Sequence, residues 1–207
     1  VRTPEDFGVQ GMLPSHPELL DWLSIYLINN NWNIKKLIKL MVMSHVYQQK
    51  SNSNDKLNEI DPNNFFLARS NSYKLPAEII RDNALASSGL LVKKVGGPSV
   101  KPYQPDGLWL EKNSFSADLY NYKKNSGDSL YRRGMYTFIK RTSPPPSMIA
   151  LDGTSREVCT VRREKTNTPL QALVLMNDPQ FFEASRILAE RIQKEGGENY
   201  LDQIKYG

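Results

Sequence analysis

The sequence has few residues of the kinds that build disulfide, haem or metal sites. It contains one cysteine, Cys159, and two histidines, His16 and His45, at unrelated spacings. A single cysteine excludes an internal disulfide framework, and the residues after Cys159 do not complete the C-x-x-C-H string that covalent haem attachment needs. We therefore expect no metal site and no haem cofactor in this chain.

Long hydrophobic runs are also missing. The longest, such as LIKLMVM, contain lysine and fall far short of the ~20 apolar residues of a membrane helix, so no membrane span is predicted. With 207 residues and 39% hydrophobic content, the chain is long enough for one domain with a core. Because the opening RTPEDFG is typical of mid-domain sequence, we expect a fragment of a longer domain.

Helical periodicity dominates what is present, which predicts a mainly α fold with long ordered loops and at most a minor β element. The prediction is a single domain fragment with a helical hairpin over 15–50, a helix over 76–90, a loop-rich aromatic and basic region over 95–167, and C-terminal helices over 168–195.

Local signals set the expected helix ends. Two capping boxes, Ser15 with Glu18 and Thr168 with Gln171, predict helix starts, and Asp178-Pro179 predicts a third. The hairpin should consist of a helix over 16–28 and one apolar-striped helix over 34–48. On that stripe His45 occupies a core position, whereas His16 lies in a first turn. The asparagine-rich stretch 51–64 is expected to be a surface loop.

The region 95–167 has too many prolines and glycines for regular structure, so its aromatic residues should fix it to a core. A short strand or extended segment is expected over 130–139, and a polyproline-like stretch over 142–147. Alternation in REVCTVRR predicts an extended segment that buries Cys159 and Val161 on one face. Cys159 has no neighbouring base in sequence, so an inert thiol is favoured over a nucleophile.

The net charge of +5 is concentrated between residues 130 and 167, which hold eight basic and three acidic residues. Such a segment can attract an anionic ligand, but arginines in a loop-rich region more often pair with carboxylates and carbonyls of their own fold. Nucleic-acid binding is not expected, since the second helix lacks a basic recognition face. The candidate ligand-binding residues are Arg132, Arg141, Arg156, Arg162, Arg163, Tyr103 and Trp109.

Glycoside hydrolysis would need two carboxylates at a fixed separation. The loop-rich half offers four candidate catalytic residues: Asp106, Glu111, Asp152 and Glu157. Their spacing selects no pair, and nearby arginines favour salt bridges over catalysis.

Three stretches carry a resemblance: RTPEDFGVQGMLPSHPELLDWL, VGGPSVKPYQPDGLW and LYRRGMYTFIKRTSPPPSMIALDGTSREVCTVRREKTNTPLQALVLMNDPQFFEA. Over nearly its whole length the chain resembles the secreted C-terminal domain of unknown function, first described in planctomycetes, that accompanies cytochrome c-like domains. The resemblance implies a periplasmic, cell-surface or secreted location, a c-type haem on a separate upstream domain, and neighbouring domains of the same polypeptide as partners. It transfers no catalytic residues.

Two hypotheses follow. The preferred one is an uncharacterised module that binds a ligand or docks a domain within an exported multidomain protein linked to polysaccharide use, with anionic polysaccharide as a possible partner. The alternative is a carbohydrate-active enzyme, hydrolytic or haem-coupled, that uses carboxylates of the loop-rich half.

Overall fold

The computed structural model describes residues 3–6, 8–52, 54–110 and 120–207. It is 47% helical with 3% strand, which confirms the mainly α prediction. Within these ranges β structure is limited to three isolated bridges, Val92–Arg132, Val100–Thr137 and Lys140–Ser143. Contacts divide the chain into two compact units, Val1–Lys74 and Leu75–Gly207. The assignment of the chain to a single domain stays a prediction.

The N-terminal unit contains four helices in the part that the structure describes. They are α1 (Pro17–Asn29), α2 (Ile34–Val42), α3 (His45–Gln48) and α4 (Asp55–Ile60). α1 packs on α2, and the short link between them brings Asn31 and Trp32 into the left-handed region, with φ of 54° and 57°. α2 begins where the Asn33 side chain accepts a hydrogen bond from the Lys36 N–H at 3.1 Å.

Three expectations for this unit are wrong. Ser15 does not cap α1, because its hydroxyl is 3.0 Å from Nδ1 of His16, which is the N-cap residue and makes no side-chain capping bond. The predicted helix over 34–48 is two helices, because Ser44 turns extended and accepts the Tyr47 N–H. The predicted loop over 51–64 contains α4, which Asn54 caps by accepting the Leu57 N–H at 2.8 Å.

Polar side chains, not apolar ones, form the interior of the N-terminal unit. Among its described residues only Asp61 and Asn64 are buried. The Asp61 carboxylate accepts the N–H groups of Phe65 and Phe66 at 2.7 and 2.8 Å. The Asn64 amide donates to the Arg69 carbonyl at 2.7 Å. These bonds fold residues 61–71 into a compact loop without a hydrophobic core.

The C-terminal unit is built on α5 (Ala77–Ser88), which follows Pro76 and ends at Gly89, where φ is 82°, as predicted. Two 3-10 turns, Gly127–Tyr131 and Gly134–Tyr136, lie beside it. Four further helices complete the described part: α6 (Pro146–Ala150), α7 (Pro169–Asn177), α8 (Pro179–Glu195) and α9 (Tyr200–Tyr206). The Asp178 cap is confirmed, since its carboxylate accepts the Gln180 N–H at 2.9 Å.

This unit has a hydrophobic core between α5, α6 and α8. Ala77, Met148, Leu151 and Phe181 form one buried cluster. Burial of such apolar area contributes about 25 cal/mol per Å² to folding. The core therefore holds together α5, α6 and α8, the helices that carry polar side chains of this unit.

Several expectations for the C-terminal unit are wrong. Thr168 is the N-cap of α7 but its side chain makes no capping bond; Gln171 instead donates to Asp152 and Thr166. The region 130–139 contains 3-10 turns in place of a strand, and α6 begins at Pro146, inside the stretch expected to be extended. α9 was not predicted.

Cys159 and Val161 were expected to be buried on one face of an extended segment, and this is wrong. Every residue from 156 to 162 is exposed. The segment has no partner strand that could cover one of its faces, because β structure in the described chain is limited to the isolated bridges.

Candidate functional site

Arg132, a predicted ligand-binding residue, makes its contacts within the fold. It is buried, and its guanidinium donates to the carbonyls of Lys94, Gly96 and Pro98. The same guanidinium lies over the Tyr136 ring, 3.8 Å from its centroid. Because its position is fixed by main-chain acceptors and an aromatic face, Arg132 closes the loop over 94–98 and is not presented to solvent.

Arg163 also pairs within the fold. Its Nη1 donates to Oε2 of Glu78 at 2.6 Å and so tethers the segment 154–163 to α5. Burial alone would raise the pKa of the Glu78 carboxyl. The hydrogen bond from Arg163, a backbone hydrogen bond and the charges of Arg163 and Arg156 outweigh burial and hold that pKa below its usual range.

The remaining candidate arginines, Arg141, Arg156 and Arg162, are exposed. Arg156 has φ of 62° and lines a shallow cavity of about 340 Å³ together with Thr154, Glu157, Cys159 and Arg163. Arg141 and Arg162 are exposed outside the lining of this cavity.

The predicted carboxylates are not brought into one described site. Asp152 accepts the N–H of Thr166 at 2.9 Å and the hydroxyl of the same residue at 2.7 Å, so it organises the approach to α7. Asp106 and Glu157 are exposed, and Glu111 lies outside the described residues. A catalytic role for these four stays a prediction.

The two predicted aromatic ligand contacts lie in different surroundings. Trp109 is 1% exposed, with Tyr122 edge-on at 5.0 Å and Phe138 at 5.6 Å between ring centroids. It therefore fixes the long loop to the core, as expected of the aromatic residues there, and presents no face to a ligand. Tyr103 is half-buried, with the Lys124 ammonium 4.3 Å from its ring centroid.

The residue that sequence reasoning missed is Arg81. It is 4% exposed, and its guanidinium donates to Gln180 Oε1, the Arg132 carbonyl and the Leu130 carbonyl at 2.7, 2.6 and 2.7 Å. Desolvation lowers the pKa of Arg81, although Asp82 opposes this effect. Its helical spacing from the buried Ala77 and Leu85 is the signal that places it on the inner face of α5.

The N-terminal unit carries a wide concave surface. A groove of about 1010 Å³ runs along α1, α2 and the segments 43–47 and 64–73, and we call it the apolar groove. Trp22 and Tyr26 stack in it with ring centroids 5.6 Å apart. Its main lining residues are Leu19, Trp22, Leu23, Tyr26, Lys36, Lys39, Leu40, Met41, Met43, Val46, Tyr47, Leu67, Arg69 and Tyr73.

The described part of the chain contains no cluster of side chains suited to bind a metal ion or haem iron. His16 is half-buried, whereas His45 and Cys159 are exposed, so the core position expected for His45 is wrong. Within the described ranges, no three histidine, cysteine or carboxylate side chains converge as metal ligands. No helix there combines the length and apolar character needed to cross a bilayer.

Comparison with known proteins gives a family without an assigned activity. No curated protein and no solved structure matches the chain. The model of the PSD1 family, described as a protein of unknown function (DUF1553), matches residues 1–206, and the chain therefore belongs to that family.

Proposed function

We propose that this chain is a docking module of a larger exported protein, and that its apolar groove receives a segment of a neighbouring domain of the same polypeptide. The observation that carries the proposal is the groove itself. Its lining is mostly aliphatic and aromatic, it comes entirely from the N-terminal unit, and it is large enough for the side chains of a protein segment. A concave, mainly apolar surface with a few polar groups is the default candidate for a binding site.

The expected context comes from the resemblance noted above. The proposal includes an upstream domain with a c-type haem, a periplasmic or cell-surface location, and genomic or functional association with polysaccharide use. The chain supplies the docking surface in this arrangement, and the haem would supply electron transfer from its own domain.

Hydrogen exchange tests the docking proposal. We expect amides of α1 and α2 to exchange more slowly in the complete polypeptide than in the 207-residue chain alone, because a bound segment excludes water from the groove. Trp22→Ala should remove that difference. Trp32→Ala is the matched control, since Trp32 is exposed and lies outside the lining. Equal exchange in both forms, or a complete polypeptide without further domains, would refute docking.

A second candidate function is favoured by exposed arginines at and beside the shallow cavity. We propose that Arg156, which lines the cavity, and Arg162 of the same segment bind sulfated or carboxylated polysaccharide, because both residues are exposed. Calorimetry with a sulfated polysaccharide should show binding that salt weakens and that Arg162→Ala reduces. Binding unchanged by that substitution would contradict it.

The enzymatic alternative is a carbohydrate-active site built from Asp106, Glu111, Asp152 and Glu157. Turnover that is lost in one alanine variant without loss of folding would support it. Full turnover in all four variants would end that mechanism.

A further inference from the structure

The charged side chains that line the apolar groove all have one sign. Lys36, Lys39 and Arg69 belong to the lining, whereas no aspartate or glutamate does. Nη2 of Arg69 donates to the carbonyls of Asp61 and Pro62, but its Nη1 is buried without a hydrogen-bond partner in the described structure. Cations beside an apolar surface attract anions more strongly than cations in open water. The groove is therefore complementary to a partner that is apolar and acidic.

The polar groups of the lining are already engaged with their own unit. The Asn30 amide donates to the Tyr26 carbonyl, and Ser44 donates to the Met41 carbonyl while it accepts the Tyr47 N–H. Asn64 is bonded to Arg69 and Asn71. An extended peptide in this groove would leave its main-chain N–H and C=O groups unpaired, whereas a helix satisfies them internally.

The size of the groove is compatible with a helical partner. At about 1010 Å³ it lies at the upper end of the roughly 300–1,000 Å³ typical of small-ligand sites. Side chains from two or more turns of a helix fill a groove of this size, with anchors at i, i+3, i+4 and i+7.

On the basis of the docking function above, we propose that the apolar groove binds an amphipathic helix that carries acidic side chains beside its apolar face. The apolar face would contact Trp22, Tyr26 and Met43, and the carboxylates would pair with Lys36, Lys39 and Arg69.

The test uses the full 207-residue chain and three synthetic peptides. The first is an amphipathic helix with leucine at the anchor positions and glutamate beside them; the second has lysine in place of each glutamate; the third has the first composition in scrambled order. Fluorescence anisotropy measures binding at low and high salt. We expect the acidic peptide to bind about tenfold tighter than the basic one at low salt, and this difference to shrink at high salt.

Charge reversal in the protein provides the matched comparison. Lys36→Glu with Lys39→Glu should weaken binding of the acidic peptide about tenfold and strengthen binding of the basic one. Lys35→Glu with Lys56→Glu makes the same change in net charge at residues outside the lining, and should leave the preference for the acidic peptide intact.

The outcomes separate this inference from the docking function. Acidic and basic peptides that bind equally, both lost on Trp22→Ala, would overturn the acidic partner and leave docking intact. Scrambled peptide that binds as well as the acidic helix would overturn the helical partner. Palmitate that binds to the wild-type chain and not to Trp22→Ala, when no peptide binds, would assign the groove to an acyl chain and overturn the helical partner. Absence of all binding, together with unchanged hydrogen exchange in the complete polypeptide, would refute both proposals.

Discussion

The two units of the chain differ in the residues that they bury. All buried hydrophobic residues described belong to the C-terminal unit, whereas the buried residues described in the N-terminal unit are the polar pair Asp61 and Asn64. The N-terminal unit nevertheless carries Trp22, Ile25 and Ile28 at about half exposure on α1 alone. Its apolar side chains are thus available for a partner, whereas the buried apolar side chains of the C-terminal unit pack within that unit.

This difference separates the residues that we expect to bind a partner from those that stabilise the fold. In the C-terminal unit, Arg132 and Arg163, which sequence analysis assigned to a ligand, hold loops and a helix together. In the N-terminal unit, a surface without any sequence motif provides the larger concave site. Mutations that distinguish stability from binding should therefore divide along the boundary between the units.

The largest effect is expected for Arg81→Met. This change keeps the side-chain volume approximately but leaves the carbonyls of Leu130 and Arg132 and the amide oxygen of Gln180 without their donor. Removal of one member of a buried charged network costs about 3–5 kcal/mol, and we expect the upper end here. Denaturant unfolding measures it, with Arg186→Met, at an exposed position of α8, as control. A loss below that of the control would contradict the role assigned to Arg81.

Phe181→Ala tests the hydrophobic core, with the adjacent residue as control. Phe181 is 7% exposed in the core cluster, whereas Phe182 is 65% exposed. We expect Phe181→Ala to lower the free energy of unfolding by about 3 kcal/mol and Phe182→Ala to change it by no more than about 0.5 kcal/mol. Equal losses in the two variants would mean that the face of α8 toward α5 is misassigned.

Asp61→Asn sharpens the comparison from the side of the N-terminal unit. An amide offers one acceptor oxygen where the carboxylate offers two, so the N–H of Phe65 or Phe66 loses its partner. The expected cost is about 1–2 kcal/mol, confined to the N-terminal unit. Amide exchange of Phe65 and Phe66 should accelerate while that of α5 stays constant. Asp55→Asn, at the exposed start of α4, is the control.

The smallest effect is expected for Arg163→Ala. Its bond to Glu78 is partly exposed, so its loss should cost no more than about 1 kcal/mol. Because the pKa of Glu78 is lowered in the folded state, this contribution is present above the unfolded pKa of 4.5 and is lost as pH falls through the folded value.

Unfolding free energies measured from pH 7 down to pH 3 should therefore converge for wild type and Arg163→Ala. Arg162→Ala, which removes an exposed arginine without a partner in the described structure, should follow wild type at every pH. A constant difference between Arg163→Ala and wild type down to pH 3 would exclude the Glu78 carboxylate as the origin of the effect.

Sequence analysis located those helices whose ends depend on neighbouring residues. α5 between Pro76 and Gly89, and α8 after Asp178, follow from local caps. It was wrong where a side chain had a choice between a local and a distant partner. Gln171 was expected to close a capping box, but donates to Asp152, nineteen residues away in sequence. No local pattern contains that partner.

The site shows the same division. Sequence analysis expected arginines of the basic segment to pair with their own fold. Arg132 and Arg163 do so. The apolar groove was not foreseen, because it arises from four segments, α1, α2, 43–47 and 64–73, whose side chains come together only after folding. Periodicity in sequence predicts that a helix has an apolar face, but not that the face stays uncovered.

The bonds of Arg81 also set an order of events in synthesis and folding. Arg81 and Gln180 are separated by 99 residues, whereas the N-terminal unit closes through contacts such as Ser70 with Lys50. Local contacts form early and distant ones late, because closing a long loop costs more entropy. As the chain leaves the ribosome, α5 has no complete partner for its guanidinium until α8 has emerged. The N-terminal unit, and with it the apolar groove, is thus expected to form while the C-terminal unit is still unfolded.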